Sequence, residues 1–114
     1  MMFGSLFGPK GYSKISQSEA KDKLTADSNI LLLDVRTPQE YREVHIPRSV
    51  SLPLDRLQAG IARVAKAKDA EIIVYCLSGA RADRACQELS AMGYTNVSTM
   101  GGINTWRYET ERGR

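Results

Sequence analysis

The chain has 114 residues, 42% hydrophobic and 25% charged, a composition typical of one globular domain. Its formal net charge is only +3 and its basic residues are scattered, which argues against a nucleic-acid partner. With 2 cysteines and 1 histidine, a metal site of the usual Cys/His type cannot be assembled. We therefore expect no metal site of this type and no nucleic-acid partner.

The N-terminal segment, residues 1–11, is apolar and rich in glycine, and is predicted to be a flexible arm. It lacks the basic start and long apolar core of a secretory signal and is too short to span a membrane, so no firm membrane association is expected. One domain is predicted over residues 12–110, with a short tail at 111–114. Two thiols without a CxxC pairing indicate a reducing compartment, which predicts a cytoplasmic protein. The sequence makes no prediction of the oligomeric state.

The first elements are marked by a serine and a glutamate three residues apart. Ser16 and Glu19 fit a capping box, which predicts a helix from residue 17 to residue 24 or 25. The apolar run over residues 30–35 shows no alternation, as expected of a strand that is buried on both faces.

The next segment predicts a helix that starts at a proline, a short strand and an amphipathic helix. Pro38 predicts the start of a second helix, and Glu40 follows Arg36 by four residues, a spacing that permits an ion pair. A short strand is predicted over residues 49–52 and a helix over 55–66. The apolar stripe of that helix comprises Leu57, Ile61, Val64 and Ala65.

A second fully apolar strand leads into a third amphipathic helix. Residues 71–76 predict the strand, and the helix begins near residue 80 or 81 and ends before Gly93, a typical C-terminal stop. The apolar face of this helix comprises Ala82, Ala85, Leu89 and Met92.

The C-terminal third predicts a strand over residues 96–100, a turn at Gly101 and Gly102, and a closing helix over 103–113. Strands and helices therefore alternate along the chain, and the strands are apolar on both faces. This order predicts an α/β fold with a parallel central sheet flanked on both faces by helices.

Cys76 stands at the carboxyl end of its predicted strand, where sites form in parallel sheets. An ordinary thiol is mostly protonated at neutral pH. Inward backbone amides at the start of a helix, a glycine that permits a tight turn and an arginine at the end of the loop would all favour a sulfur anion. The predicted site is Cys76 as the catalytic nucleophile with a substrate-binding loop made of Leu77, Ser78, Gly79, Ala80 and Arg81.

Other polar and sulfur side chains are assigned to the structure of the domain. Cys86 lies within the predicted helix and is interpreted as a core residue. For Asp34 and Arg36 we favour a role in the turn after their strand over a place in the site. His45 is excluded as a general base, because chemistry on a sulfur anion does not require one.

Three blocks of the sequence resemble the rhodanese-like domain family when taken in order: "YSKISQSEA", "LLLDVRTPQEYREVHIP" and "IVYCLSGARADRACQELSAMGYTNVSTMGGINTW". The resemblance covers the chain from about Tyr12 to Trp106. It departs from the family pattern at Val44, where many members have glycine, and at Arg48 and Ser49, where the family often has Gly-Ala. These differences bear on local turn geometry and lie away from the loop.

The resemblance implies a single-domain sulfurtransferase without metal or organic cofactor. In such an enzyme Cys76 takes the outer sulfur of a small anionic donor such as thiosulfate and forms a persulfide. The sulfur then passes to cyanide, a thiol or a carrier protein.

Two other functions remain open. One is a non-catalytic rhodanese-like module for binding or regulation. The other is a Cys-loop phosphatase or arsenate reductase, which typically has five residues between cysteine and arginine, whereas four separate Cys76 from Arg81 here.

Overall fold

The computed structural model of the chain describes residues 11–113, so the predicted arm lies outside the described residues except for Gly11. The predicted α/β fold is confirmed. All paired strands run parallel, and the sheet has the order β1-β5-β4-β2-β3. The strands are β1 (Ser13–Lys14), β2 (Leu31–Asp34), β3 (Val50–Ser51), β4 (Ile72–Cys76) and β5 (Val97–Gly102). The helices are α1 (Gln17–Ala26), α2 (Pro38–Glu43), α3 (Leu57–Val64) and α4 (Ala80–Ala91).

The core forms two apolar clusters because side chains of a strand alternate between the faces of a sheet. Val74 and Cys76 of β4 belong to the cluster beneath α3 and α4, while Ile73 and Tyr75 belong to the cluster beneath α1. Every residue of β4 is buried. Cys76 therefore points toward the helix that follows its own strand.

Side chains cap the starts of α1 and α2, but the complete capping box lies at α2, where only a proline start was predicted, and not at Ser16 and Glu19. The side chain of Ser16 accepts a hydrogen bond from the amide of Glu19 at the start of α1. At α2 the capping box is complete: Thr37 accepts from the amide of Glu40, whose carboxylate accepts from the amide of Thr37. Pro38 occupies the first turn, where a missing N–H costs nothing.

Two of the predicted elements near the C-terminus are wrong. The closing helix over residues 103–113 is absent, and only a 3-10 turn at Ile103–Thr105 follows β5. Glu111 instead exchanges two backbone hydrogen bonds with His45, and the amide of Gly113 donates to the carbonyl of Arg42. The backbone contacts of the domain thus continue into the segment predicted to be a tail.

The predicted turn at Gly101 and Gly102 is also wrong, since both residues belong to β5. Between the pairs Val74–Thr99 and Cys76–Gly102 the strand β5 has one more residue than β4. Gly101 adopts a φ of 89° beside this irregularity. In α3, Val64 is 40% exposed and does not join the predicted apolar stripe, whereas Ala65, which follows the helix, is buried in the core.

The sheet reverses its direction of winding between β2 and β4. From β2 the chain continues outward to β3, and from β4 it continues in the opposite direction to β5. The crevice outside the carboxyl ends of two such strands is the usual ligand site of open α/β sheets. Cys76 ends β4 at this point.

Arg48 explains how the turn after Pro47 forms without glycine. The amide of Ser49 donates to the carbonyl of Ile46, and Arg48 has a φ of 67°, as the third residue of a type II turn requires. Its guanidinium donates to backbone carbonyls at and after the end of α1. The acceptors are the carbonyls of Leu24 at 2.8 Å, Asp27 at 3.4 Å, Ser28 at 3.1 Å and Ile30.

Replacing Arg48 should separate backbone strain from hydrogen bonding. Arg48→Ala keeps the strained φ and loses all four acceptors, so the free energy of unfolding should fall by about 1–2 kcal/mol. Arg48→Gly relieves the strain, so its free energy of unfolding should fall by less. Urea unfolding of both variants measures the difference, and equal losses would contradict this account.

Candidate active site

The thiol of Cys76 lies under the backbone of the loop that follows it. The amide of Gly79 donates to Sγ at 3.0 Å and the amide of Ala82 at 3.3 Å. Cys76 is 1% exposed, so these donors meet the sulfur away from bulk water. The loop turns inward, as the sequence predicts.

Gly79 allows this turn because its φ is 119°, a value that side chains with a Cβ rarely adopt. It is followed at once by α4, whose first amides have no partner within the helix. The positive end of the helix dipole therefore also points at the sulfur.

Ala82 was not among the predicted site residues. The predicted loop ended at Arg81, yet the second amide on the sulfur comes from the next residue. The signal was present in the sequence, because a helix that begins at residue 80 leaves the amides of its first turn unpaired. Of the predicted loop residues, Leu77 is 45% exposed, and Ser78 and Ala80 are also exposed.

The loop rests on the end of β5 through Gly102. A Cβ atom at Gly102 would overlap the carbonyl of Leu77 and lie 2.6 Å from the Cα atom of Ser78. The same Leu77 carbonyl accepts the amide of Asn104 at 3.1 Å. Gln17 of α1 donates to the carbonyl of Gly102 at 2.8 Å. Gln17 thus holds the end of β5, and Asn104 holds the loop at Leu77.

Arg81 is held by a carboxylate of another helix. Its two terminal nitrogens donate to Glu40 at 2.8 and 3.0 Å, a two-point contact of the kind that guanidinium and carboxylate prefer. The Arg81 guanidinium lowers the pKa of Glu40 to about 2. Glu40 therefore joins the first turns of α2 and α4.

The ion pair between Arg36 and Glu40 that the spacing permits does not form. Arg36 instead pairs with Asp34 at 2.8 Å, and the two side chains are 2% and 0% exposed. Arg36 also donates to the carbonyl of Val44. This buried pair closes the turn after β2, in agreement with the structural role favoured from the sequence.

His45 and Cys86 have structural surroundings, as the sequence analysis expects. The ring of His45 stacks on Tyr41, its Nδ1 atom donates to the carbonyl of Tyr41 at 2.8 Å, and its Nε2 atom lies 3.1 Å from Glu111. Burial raises the pKa of the Cys86 thiol, and Asp83 adds to the effect. Cys86 is therefore a neutral core residue, whereas Cys76 has amide donors on its sulfur.

Two open cavities border the loop. One, of about 400 Å³, is lined by Ser78, Gly79 and Ala80 together with Lys14 and Asp83. The other, of about 540 Å³, begins at Arg81 and extends over the turns after β2 and β3. Within residues 11–113, no cluster of three or more His, Cys, Asp or Glu side chains is arranged to hold a metal ion.

The sequence matches the rhodanese-like domain over residues 16–109, which is most of the chain. The chain belongs to the rhodanese-like domain family. This confirms the resemblance seen in the sequence.

Individual relatives agree with this family. A sulfurtransferase of Allochromatium vinosum is 33% identical over 95 residues, which cover 82% of this chain and 87% of the relative. The thiosulfate:glutathione sulfurtransferase of Saccharomyces cerevisiae is 42% identical over 94 residues, covering 70% of this chain and 66% of the relative. A solved structure of a rhodanese with anions from E. coli superimposes with a TM-score of 0.70 at 31% identity, covering 74% of this chain and 99% of that one.

In the described part of this rhodanese-like chain, no helix has the length and apolar character needed to cross a membrane.

Glu40→Gln should make the stability of the domain less dependent on pH. The pKa of Glu40 is lowered in the folded state, so its contribution is complete above the unfolded value near 4.3 and is lost as the pH falls toward about 2. Because Arg81 is partly exposed, we expect a loss of only about 1–2 kcal/mol at pH 7, shrinking toward zero near pH 2. Urea unfolding of both proteins across this pH range measures the loss.

Glu43→Gln, on the exposed side of the same helix, is the matched control and should show no such trend. A difference between wild type and Glu40→Gln that stays constant with pH would refute the role of the carboxylate.

Gly102→Ala should displace the loop from the sulfur. The added methyl group meets backbone rather than a flexible side chain, which should cost about 1–3 kcal/mol of unfolding free energy. The amide NMR resonances of Gly79 and Ala82 should shift, because their hydrogen bonds to Sγ depend on the position of Leu77. Gly60→Ala is the control, since its Cβ meets only the end of Leu52 at 2.7 Å. Unchanged resonances in Gly102→Ala would contradict the proposed support.

Proposed function

We propose that the protein is a thiosulfate sulfurtransferase that works through a persulfide on Cys76. The observation that carries this proposal is the pair of amide hydrogen bonds to Sγ, at 3.0 Å from Gly79 and 3.3 Å from Ala82. Preorganised amides of this kind stabilise negative charge in a site that excludes water.

The first half of the reaction loads the cysteine. The Cys76 thiolate attacks the outer sulfur of thiosulfate, the bond between the two sulfurs of the donor breaks, and sulfite leaves with the electron pair. The products are a Cys76 persulfide anion and sulfite, so charge and atoms balance. Covalent catalysis of this kind divides the transfer into two steps.

The second half discharges the persulfide. An acceptor nucleophile such as cyanide or a thiolate attacks the outer sulfur, and the electron pair of the broken S–S bond returns to Sγ as a thiolate. Cyanide gives thiocyanate, and a thiol gives its own persulfide. The name of the yeast relative supports glutathione as an acceptor to test first.

The surroundings of the sulfur fit both halves. The loop amides serve the thiolate and the persulfide alike, because both carry one negative charge on sulfur. The side chain of Arg81 is proposed to assist the donor with the N–H groups that Glu40 does not occupy. Both cysteines are free thiols, which favours a reducing, cytoplasmic setting.

Mass spectrometry of the intact protein after incubation with thiosulfate tests the proposal. Wild type should gain the mass of one sulfur atom and lose it on addition of cyanide, with release of thiocyanate. Cys76→Ser should gain nothing, because the attacking thiolate is absent. Cys86→Ala is the matched control and should load like wild type.

Failure of wild type to gain sulfur would favour the binding module instead. Hydrolysis of an aryl phosphate by wild type, lost in Cys76→Ser, would favour the phosphatase.

A further inference from the structure

The side chain of Gln17 holds the last strand of the sheet at two points. Gln17 is the first residue of α1, and its Nε2 atom donates to the carbonyl of Met100 at 3.0 Å and to the carbonyl of Gly102 at 2.8 Å. A carboxamide has two N–H groups, so both are used on β5. Because α1 and α4 pack on opposite faces of the sheet, this contact comes from the face away from which Cys76 points.

The two carbonyls stand on either side of the irregularity in β5. Gly101 lies between them with a φ of 89°, at the point where β5 has one more residue than β4. The amide of Gly101 donates to the hydroxyl of Thr99 at 3.2 Å. An irregularity of this kind interrupts the hydrogen bonds between strands, so its backbone groups need other partners. Gln17 and Thr99 supply them.

Gly101 also lies against the loop that covers the thiol. A Cβ atom on Gly79 would stand 3.8 Å from the Cα atom of Gly101, and a Cβ atom on Gly101 would stand 3.9 Å from Nε2 of Gln17. The amide of Gly79 is one of the two donors to Sγ of Cys76, at 3.0 Å. A short path of contacts therefore leads from Gln17 through Gly101 to the hydrogen bond on the sulfur.

A second path reaches the loop at the residue after the cysteine. Gly102, whose carbonyl accepts from Gln17, packs so closely on Leu77 that a Cβ atom would overlap the Leu77 carbonyl. Both paths begin at the same side-chain amide. Loss of that amide should therefore move the loop at two places.

The hydrogen bond from Gly79 is sensitive to small displacements. Hydrogen bonds weaken steeply when the donor moves out of range or out of line, and those to a charged acceptor are about twice as strong as neutral ones. Groups around a reacting atom have to be held to within about 0.5 Å by their own partners. Glycine restricts the backbone least, so the position of Gly79 depends on what the loop rests on.

We propose that Gln17 is a positioning residue for the chemistry of Cys76. By holding the segment from Met100 to Gly102, it keeps the amide of Gly79 on Sγ and so favours the thiolate over the thiol. The inference concerns the state of the sulfur before any substrate arrives. It rests on the proposed function only where sulfur transfer is the measurement.

Gln17→Leu tests the inference, because leucine is of similar size and has no N–H group in its side chain. The measurement is the ultraviolet absorbance of the Cys76 thiolate as a function of pH, taken as the difference from Cys76→Ser in the same background. Cys86 and the tyrosines contribute to both proteins and cancel in this difference. In Gln17→Leu the thiolate should appear about half a pH unit or more above wild type, roughly a three-fold change in thiolate fraction.

A purely structural role of Gln17 would lower the stability of the domain and leave this profile in place. Gln17→Lys keeps N–H donors on a flexible side chain, so its profile should lie closer to wild type than that of Gln17→Leu. Gln87→Leu is the matched control, since it makes the same substitution at an exposed position of α4. Coincident profiles of wild type and folded Gln17→Leu, or an equal shift in Gln87→Leu, would overturn the inference.

Thr99→Val is a second variant that acts on the same irregularity. It removes the hydroxyl that accepts the amide of Gly101 and keeps nearly the same shape. The thiolate of Thr99→Val should also appear at higher pH than in wild type. Where Gln17→Leu does not fold, this variant decides the question, and an unchanged profile in folded Thr99→Val would count against the inference.

The rate of sulfur loading separates this inference from the proposed function. Loading of Gln17→Leu by thiosulfate should be about three-fold slower than wild type near pH 6 and about equal to wild type near pH 9.5, where a thiol ionises without help. A rate lowered by the same factor at both pH values would overturn the inference.

The absorbance measurement does not require sulfur transfer. A shift in Gln17→Leu supports the inference even where thiosulfate fails to load wild type and the proposed function is wrong. Loading of wild type without a shift in Gln17→Leu would overturn the inference and leave the sulfurtransferase intact.

Discussion

The site depends on two backbone amides that close over one sulfur. Gly79 and Ala82 donate to Sγ of Cys76; Gly79 directly precedes α4, and Ala82 lies in its first turn. This arrangement needs a glycine at a left-handed φ, a helix that begins immediately afterwards, and a neighbouring strand that leaves room for the loop. Gly102 supplies that room, because any larger residue would meet the carbonyl of Leu77.

Local sequence patterns predicted the parts of the fold that are set by short-range physics. Pro38 predicted the start of α2, and the apolar face of α4 together with Gly93 predicted the extent of that helix. The position of Cys76 at the end of a buried strand followed from the same reasoning. These features depend on neighbours within a few residues, which is why a single sequence contains them.

The features that sequence patterns missed are set by contacts distant in the chain. Glu40 stands four residues from Arg36, but its carboxylate is bound by Arg81, 41 residues away. The segment after β5 contains residues acceptable in a helix, yet Glu111 is held in an extended pairing with His45. The sequence predicts a turn at Gly102, and only the packing of Leu77 against it shows that this position requires a residue without a Cβ.

The division between dipoles and charges around the loop has a physical consequence. The groups nearest the sulfur are amides, which act at 3.0–3.3 Å in a site shielded from water, so salt screens them weakly. Carboxylates at 2.8 Å offset the charges of Arg36 and Arg81, and the pair of Arg81 with Glu40 is partly exposed, where ions screen it. The donors that stabilise the sulfur anion and the ion pairs that hold the surrounding turns are therefore different groups, and they are sensitive to different conditions.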